Sequence, residues 1–493
     1  MLKRPTPEFL HDATKDELIV LIEALFDHVE SLTLRIEHLE AENQQLKNRL
    51  ALNSKNSSIP PSKNRNPIKP AYPREKGKNS NGGQPGHGGN TLRKVATSMV
   101  DIHIEHRFGG GCTSCGKSMD KVPVHASDVL TRQVFDIPSP AFLVTEHHVM
   151  RSICACGQVH VGSFPEDIIA QVQYGPRIKA EAVALNSVHM IPLARTAEIL
   201  NSRTGLSLSE ASIHEFVNKA VTGCESVVDM IANPCREAEV LHVDETEMSI
   251  NGKTHWAHVA ATPKLTHMSA QIKRGMEGIL GTGVIVVMTD CPKTPQTLQQ
   301  VLIHDGLLAY KSLPYTHALC NAHHVRELRF VQEQLGQPWA RDMIDLLQEA
   351  CAESKETPSP TAADRVASYL DRFNSIMMAG FASNPKNHVR TGLRGRPAQN
   401  KAFNLLTRLQ QYSDDVWRFL TDKRVPFSNN IAERAMRMPK VKMKVAGCFR
   451  TLEGFRSFCV LRSYIDTMKK QGHTAFAALF SVFNGDPLAP QAC

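Results

Sequence analysis

Three acidic residues in the second half of the chain stand where folded proteins place reactive carboxylates. Asp244 closes the apolar run of LHVDET, and Asp305 follows the apolar stretch of VLIHDG. Glu433 lies in NNIAERAMR, early in a helix that opens near Asn429 and Asn430. Carboxylates at two strand ends and a helix start can converge, and hard oxygen ligands suit magnesium. Two such ions about 4 Å apart activate a water or a 3′-hydroxyl and stabilise the leaving oxygen of a phosphodiester. Pattern alone leaves competitors. Asp290 ends the strongly apolar VVMTDC, Glu245 adjoins Asp244, and His242 shares the strand face of Asp244.

A second constellation is made of cysteines. Cys112-x-x-Cys115-Gly and Cys154-x-Cys156-Gly stand 38 residues apart, in a region where short alternating strands are expected. Thiolates bind zinc tetrahedrally, and a following glycine lets the backbone turn tightly around the ion. The pairs therefore predict a zinc-ribbon-like module over 96–167, although the second has a tighter bite. CNAHHVREL places Cys320, His323 and His324 together, but its Cys-x-x-His spacing offers only two natural zinc ligands. Packing or hydrogen bonding is the expected role of these histidines. His323 can also orient a carboxylate or touch a phosphate, and Arg326 can bind phosphate directly.

The charge distribution points to a polyanionic partner. Net charge is +8 over 493 residues, yet residues 51–100 carry nine basic and one acidic side chain, and residues 431–470 carry ten and three. Arg434, Arg437, Lys440, Lys442, Lys444 and Arg450 flank Glu433. Guanidinium matches phosphate geometry and lysine adds a flexible point charge. The competing reading, that Arg434 and Arg437 only pair with acids on their own helix, stays open.

The positioning elements can be read around these groups. Over 16–50, Leu18, Leu25, Leu32, Leu39 and Leu46 recur every seven residues, with Ile22, Val29, Ile36, Asn43 and Leu50 as the second seam. Branched residues at a, leucine at d and one buried asparagine predict a parallel two-stranded coiled coil, hence at least a dimer. Residues 51–95 are rich in Pro, Gly, Asn and Ser, which predicts a basic flexible linker. Residues 170–235 read as helices with a possible helix-turn-helix, the second helix capped by Ser207 or Ser209. Strand-like runs fill 238–306, including THWAHVAATP, LTHMSAQIK and GVIVVMTD. Helical stretches follow over 323–382, 398–421, 429–438 and 455–484. No apolar run approaches the roughly 20 residues of a membrane helix, no secretion segment opens the chain, and twelve cysteines in 493 residues are too dilute for a disulfide scaffold. A cytoplasmic protein is expected.

These motifs, in this order, resemble a transposase of the insertion-sequence sixty-six family along nearly the whole chain. The resemblance runs through NSSIPPS, GGQPGHGG, YGPRIKAEAVAL, IPLARTAEIL, HVDET, HDGLLAYKSL, CNAHHVREL, RGRPAQNKAFNLLTRL, VPFSNNIAERAMRMPKVKMKVAGCFRT and FRSFCVLRSYIDTMKKQG. It implies an Asp-Asp-Glu catalytic centre, with Asp244, Asp305 and Glu433 as the magnesium or manganese ligands, and ranks Asp290 below them. It implies a multidomain fold whose 238–484 region is an α/β ribonuclease-H-like core. Glu433 follows Asp305 by 128 positions, so a helical subdomain inserted over about 325–420 is expected. The implied activity is metal-dependent cutting of insertion-sequence ends and joining of their 3′-hydroxyls to target DNA. The implied partners are the terminal inverted repeats, target DNA in the bacterial nucleoid and accessory proteins of the same element. His323, Arg326 and the basic residues around Glu433 are the expected DNA contacts. The alternatives are a non-catalytic zinc-containing DNA-binding regulator and a metal-dependent nuclease without strand transfer. The run into HDG is longer than usual for the family, and Leu307 stands where many relatives carry an aromatic.

Overall fold

The computed structural model describes residues 13–53, 56, 94–100, 102–104, 112, 114–118, 132–133, 143–153, 156, 159–286, 300–356, 360–386 and 399–491. They fall into two compact units, one within Ile68–Phe164 together with Ser202–Gly205, the other comprising the rest. Cys154, Asp290 and His106 lie outside the described residues.

The larger unit opens with α1 (Lys15–Leu50). Thr14 caps it: the Glu17 backbone N–H donates to the Thr14 hydroxyl, and Glu17 in turn accepts from the Thr14 N–H at 2.8 Å. This reciprocal box satisfies two donors that a helix start leaves unpaired. Leu32, Ile36, Leu39 and Leu46 are about half exposed along it.

In the smaller unit, β1 (Arg151–Ile153) and β2 (Val159–Val161) form an antiparallel ladder that brackets the second cysteine pair. The expected strand over 96–106 is not formed among the described residues, which instead hold a 3₁₀ turn at Thr97–Met99. Residues 143–150 are likewise unpaired as strand. A β conformation needs a partner edge, and the only described ladder here is the short hairpin.

Helices α2 (Pro176–Val183), α3 (Leu193–Thr204) and α4 (Glu210–Glu237) follow. Ser209 caps α4, accepting from the Ser212 N–H at 3.1 Å. Next come β3 (Val240–Ile250), β4 (Lys253–Ala261) and β5 (Thr266–Gln271), then α5 (Met276–Leu280), β6 (Val301–His304), α6 (Leu308–Lys311) and β7 (Thr316–Leu319). The β3–β4 turn is Asn251-Gly252, both at positive φ, the pairing that a two-residue hairpin demands. Gly283–Val286, expected as strand, form no strand.

The five strands make one mixed sheet in the order β5-β4-β3-β6-β7. β3 runs antiparallel to β4 and parallel to β6, and β6 runs parallel to β7. β6 is buried throughout, as a parallel strand covered on both faces must be. This arrangement fits a ribonuclease-H-like core.

Helices α7 (Asn321–Leu335), α8 (Pro338–Glu356), α9 (Ala363–Ser383), α10 (Lys401–Gln411) and α11 (Ser413–Thr421) pack an apolar cluster around Trp339, Tyr369, Phe373, Leu406 and Trp417 that continues onto Val301, Ile303, Ala318 and Leu319 of β6 and β7. The chain then returns through α12 (Asn430–Ala435), α13 (Arg437–Ala446), α14 (Leu452–Lys470) and α15 (Ala475–Phe483). Pro439 is the third residue of α13. In a first turn no intrahelical N–H bond is required of it, so the helix runs on past the expected end at 438. α14 covers the outer edge of β5: the Thr266 and Met268 N–H groups donate to the hydroxyls of Thr467 and Ser463 at 3.0 and 2.8 Å. The edge's donors are thereby satisfied inside the protein rather than left to pair with another chain. No helix is long and apolar enough to cross a membrane among the described residues.

The sheet encloses neutral histidines. Burial pushes both His258 on β4 and His267 on β5 down to about 4. Their folded values lie below the unfolded value near 6.5. The stability they contribute is complete above pH 6.5 and is lost as pH falls through 4, on the order of 2 kcal/mol each. The denaturation midpoint is expected to fall between pH 7 and pH 4.5, and His267→Leu to flatten that slope. An unchanged slope in the variant refutes the assignment.

Candidate active site

The site is built where the parallel pairing of β3 with β6 stops; Asp244 lies in the middle of β3 and not at the expected strand end, because pairing with β4 carries β3 on to Ile250. In the parallel register His242 pairs with Ile303. Asp244 lies two residues beyond His242 within β3, and Asp305 two beyond Ile303, one residue past the end of β6. The electrostatics agree with that placement. Burial pushes the Asp244 carboxyl well above the usual range, the negative charges of Glu245 and Asp305 push the same way, and only Lys440 on α13 and the Glu245 N–H oppose them.

The loop after β6 is fixed by its own residues. The Leu307 N–H donates to Asp305 Oδ1 and the Gly306 N–H to His304 Nδ1, both at 3.1 Å. His304 Nε2 lies 3.3 Å from His317 Nδ1, and His317 Nε2 lies 3.2 Å from the Leu313 carbonyl. One neutral tautomer of each ring satisfies the whole chain: His304 accepts at Nδ1 and donates at Nε2, and so does His317. Gly306 has φ +100°, outside what other residues readily adopt. The three letters of HDG thus serve as acceptor, carboxylate and turn.

Glu433 arrives from α12, and Asn429 determines where. Sequence pattern suggests Asn429 as a helix cap, but its side chain makes no capping bond. Its amide instead donates to the Val243 carbonyl at 2.8 Å and accepts from His242 Nδ1 at 2.9 Å, while its backbone N–H meets Cys320 Sγ at 3.2 Å. Glu433 stands one turn on, its N–H bonded to the Asn429 carbonyl. The carboxylate lies among residues of α7 and its start. Glu433 Oε1 is 3.6 Å from both Cys320 Sγ and His323 Nδ1, and Oε2 is 3.5 Å from Arg326 Nη2. Asp305 and Glu433 both act electrostatically on His323, each favouring its charged form. His323 and Arg326, expected on DNA, thus face Glu433 in this structure.

Behind the carboxylates lies Glu245, on the opposite strand face from Asp244. Arg274 donates to its Oε1 through Nε at 3.0 Å and Nη2 at 2.9 Å. Burial, reinforced by the charge of Asp305, still pushes Glu245 up to about 7. Tyr310 sits beside it, its phenol raised well above its usual value by burial and the three nearby acids. Sequence reading passed over Arg274 and Tyr310, because single residues in loop and helix carry no spacing signal.

Of the expected phosphate contacts, Arg434, Arg437, Lys440, Lys444 and Arg450 are exposed, and Lys442 is partly buried. At the cysteine knuckle, the N–H groups of Ser114 and Cys115 hold the Cys112 thiol below its usual range. Gly116 turns there at φ +72°. Among the described residues, Cys320, His323 and Glu433 are the group whose ligand atoms all lie within 4.8 Å of one another.

Comparison with known proteins gives two family matches. The family described as Transposase IS66 family matches residues 171–457, which includes every carboxylate discussed. A family of unknown function (DUF6444) matches residues 4–93. The chain is also similar to the uncharacterized protein y4jD of Sinorhizobium fredii (strain NBRC 101917 / NGR234), at 26% identity over 198 residues. That similarity covers 37% of this chain and 37% of the relative.

The Asn429 amide makes the geometry testable. Asn429→Ala leaves the buried Val243 carbonyl and His242 without these partners, at an expected cost of about 2–4 kcal/mol. Chemical denaturation measures it, and a loss under about 0.5 kcal/mol rules out the clamp.

Proposed function

The chain belongs to the IS66 transposase family, and from that premise we propose that it cuts the ends of an insertion sequence and joins their 3′-hydroxyls to target DNA. The observation carrying this reading is the closeness of Asp305, just past the end of β6, to Asp244 on the neighbouring parallel strand β3, whose carboxyl its charge pushes up, with the Glu433 helix tied to β3 through Asn429.

The donor set fits divalent magnesium or manganese. Burial raises the proton affinity of Asp244 and Glu245, and the negative charge of Asp305 adds to both. A hard cation relieves that repulsion, and oxygen ligands are what it prefers. In this reading Asp244, Asp305 and Glu433 hold the metal. When bound, it supplies activation of water or a 3′-hydroxyl and stabilisation of the leaving oxygen. Lys440, beside Asp244, and the exposed Arg434, Arg437, Lys444 and Arg450 hold the phosphates of the strand. Lys442, partly buried, supports the same basic face. His323 and Arg326 orient Glu433 and meet the DNA backbone once that carboxylate turns to the metal. Both reactions are in-line displacements at phosphorus, so no covalent protein nucleophile is required.

The remaining parts bring DNA ends together. The seam of α1 pairs two copies in a coiled coil. Cys112, Cys115, Cys154 and Cys156 hold structural zinc in a module that, with the helices of 170–235 and the basic linker, grips the terminal inverted repeats. Two ends must be held before either is joined, which gives dimerisation a physical purpose.

Asp244→Asn, Asp305→Asn and Glu433→Gln are each expected to lower cleavage and strand transfer by at least about a thousandfold while end binding persists. Joining of a pre-cut end at the wild-type rate by Asp305→Asn defeats the assignment. Joining absent in wild type despite cleavage favours a nuclease without strand transfer. For the outlying parts, Leu32→Lys with Ile36→Lys is expected to turn a dimer into a monomer in sedimentation. Cys112→Ser is expected to lose a bound zinc in metal analysis. An unaltered mass or an unaltered zinc content contradicts the corresponding part.

A further inference from the structure

We propose that Cys320, His323 and Glu433 form a binding site for a thiophilic divalent cation of the zinc class, and that this site competes with the catalytic metal for the Glu433 carboxylate. The competition rests on the function proposed above, whereas the binding site stands on geometry alone.

Bonds of about 2.0–2.3 Å to a tetrahedral ion set ligand–ligand edges of about 3.3–3.8 Å. Cys320 Sγ and His323 Nδ1 each lie 3.6 Å from Glu433 Oε1, inside that interval. The groups are also available. His323 Nδ1 is buried without a hydrogen-bond partner, so its lone pair can face an ion. Arg326 takes Oε2 of Glu433 and leaves Oε1 to the cluster. The Asn429 N–H points at Cys320 Sγ from 3.2 Å, joined by the N–H groups of His323 and Ala322. Burial still pushes the Cys320 thiol up to about 12, the Glu433 charge adds to it and these N–H groups oppose it, so an ion entering here must displace the thiol proton.

Ligand chemistry then separates two classes of ion. Magnesium avoids sulfur, whereas zinc and cobalt accept thiolate, imidazole and carboxylate together. Binding exchanges the thiol proton of Cys320 for the ion and releases that proton to solvent. Three protein ligands leave the fourth tetrahedral position open to water. Glu433 held through Oε1 in this cluster is unavailable to Asp244 and Asp305, so zinc at this place lowers the magnesium-supported reaction without displacing DNA.

The test is cobalt titration of the full-length metal-free protein, followed by thiolate-to-cobalt charge-transfer absorption. The cysteine module contributes equally to wild type and to variants in this cluster, so the difference isolates the site. Cys320→Ser and His323→Gln are each expected to weaken one cobalt equivalent by at least about tenfold. The double variant Asp244→Asn, Asp305→Asn is expected to keep it. Should Cys320→Ser fail to fold, His323→Gln decides alone. Identical titrations for wild type and His323→Gln overturn the proposal, and so does loss of the same equivalent in the double aspartate variant. Zinc added to magnesium-supported cleavage is expected to inhibit wild type, and full activity with the cluster occupied overturns the competition. Wild type that binds this cobalt yet never cleaves DNA speaks against the proposed function and leaves the binding site standing.

Discussion

One buried amide holds the candidate site of this protein together. Asn429 bonds to β3 through Val243 and His242, and its backbone meets Cys320 at the end of β7. These partners stand 186, 187 and 109 positions away in the chain. A helix carrying Glu433 has no strand register to fix it, unlike Asp244 and Asp305. Its place is set by donors and acceptors that cannot be left unpaired in the interior. An amide suits this role because it donates and accepts at once. Aspartate in its place could meet His242 but could not donate to the Val243 carbonyl.

The electrostatic consequence follows from the same geometry. With β3 and β6 parallel neighbours, Asp305 just past the end of β6 comes close enough to Asp244 for its charge to push that carboxyl up. The protein leaves that repulsion only partly answered. Lys440 acts on Asp244, and Arg274 pairs with Glu245. Glu433, the third acid, is held apart on Arg326, His323 and Cys320. A fold selected for stability alone would avoid such crowding, since buried like charges raise one another's proton affinity. The arrangement is intelligible as a place prepared for positive charge.

Much of this was legible in the sequence, because buried strands show as apolar runs. Such runs precede Asp244 and Asp305 and located both carboxylates, although only Asp305 follows a strand end; β3 continues past Asp244 to Ile250 because β4 pairs with it that far. The long α1 helix was carried by its heptads. The misread parts have physical reasons. Asn429 looked like a cap, since an asparagine before a helix usually is one; its distant partners have no trace in local spacing. The helical stretch expected over 429–438 is divided at Met436 and runs on to Ala446, since Pro439 falls in the first turn of α13, where a proline costs nothing. Residues 96–106 and 143–150 alternate like strands, but alternation specifies a face and not a partner.

The helices between Asp305 and Glu433 do more than separate them. β7 continues directly into α7, and the first turns of α7 bring His323 and Arg326 onto Glu433, with Cys320 at the junction. The remaining helices, α8 to α11, share one apolar cluster with α7 and with β6 and β7 and so fix the direction in which α7 can leave the sheet. Arg408 of α10 pairs with Glu327, one residue beyond Arg326, and Asn321 donates to the Val416 carbonyl of α11. The insertion therefore supplies the surroundings of the third carboxylate. Cutting it down to a short loop would satisfy the sheet's connectivity, yet it would remove Arg326 from Glu433 and the α10 and α11 contacts that hold the start of α7.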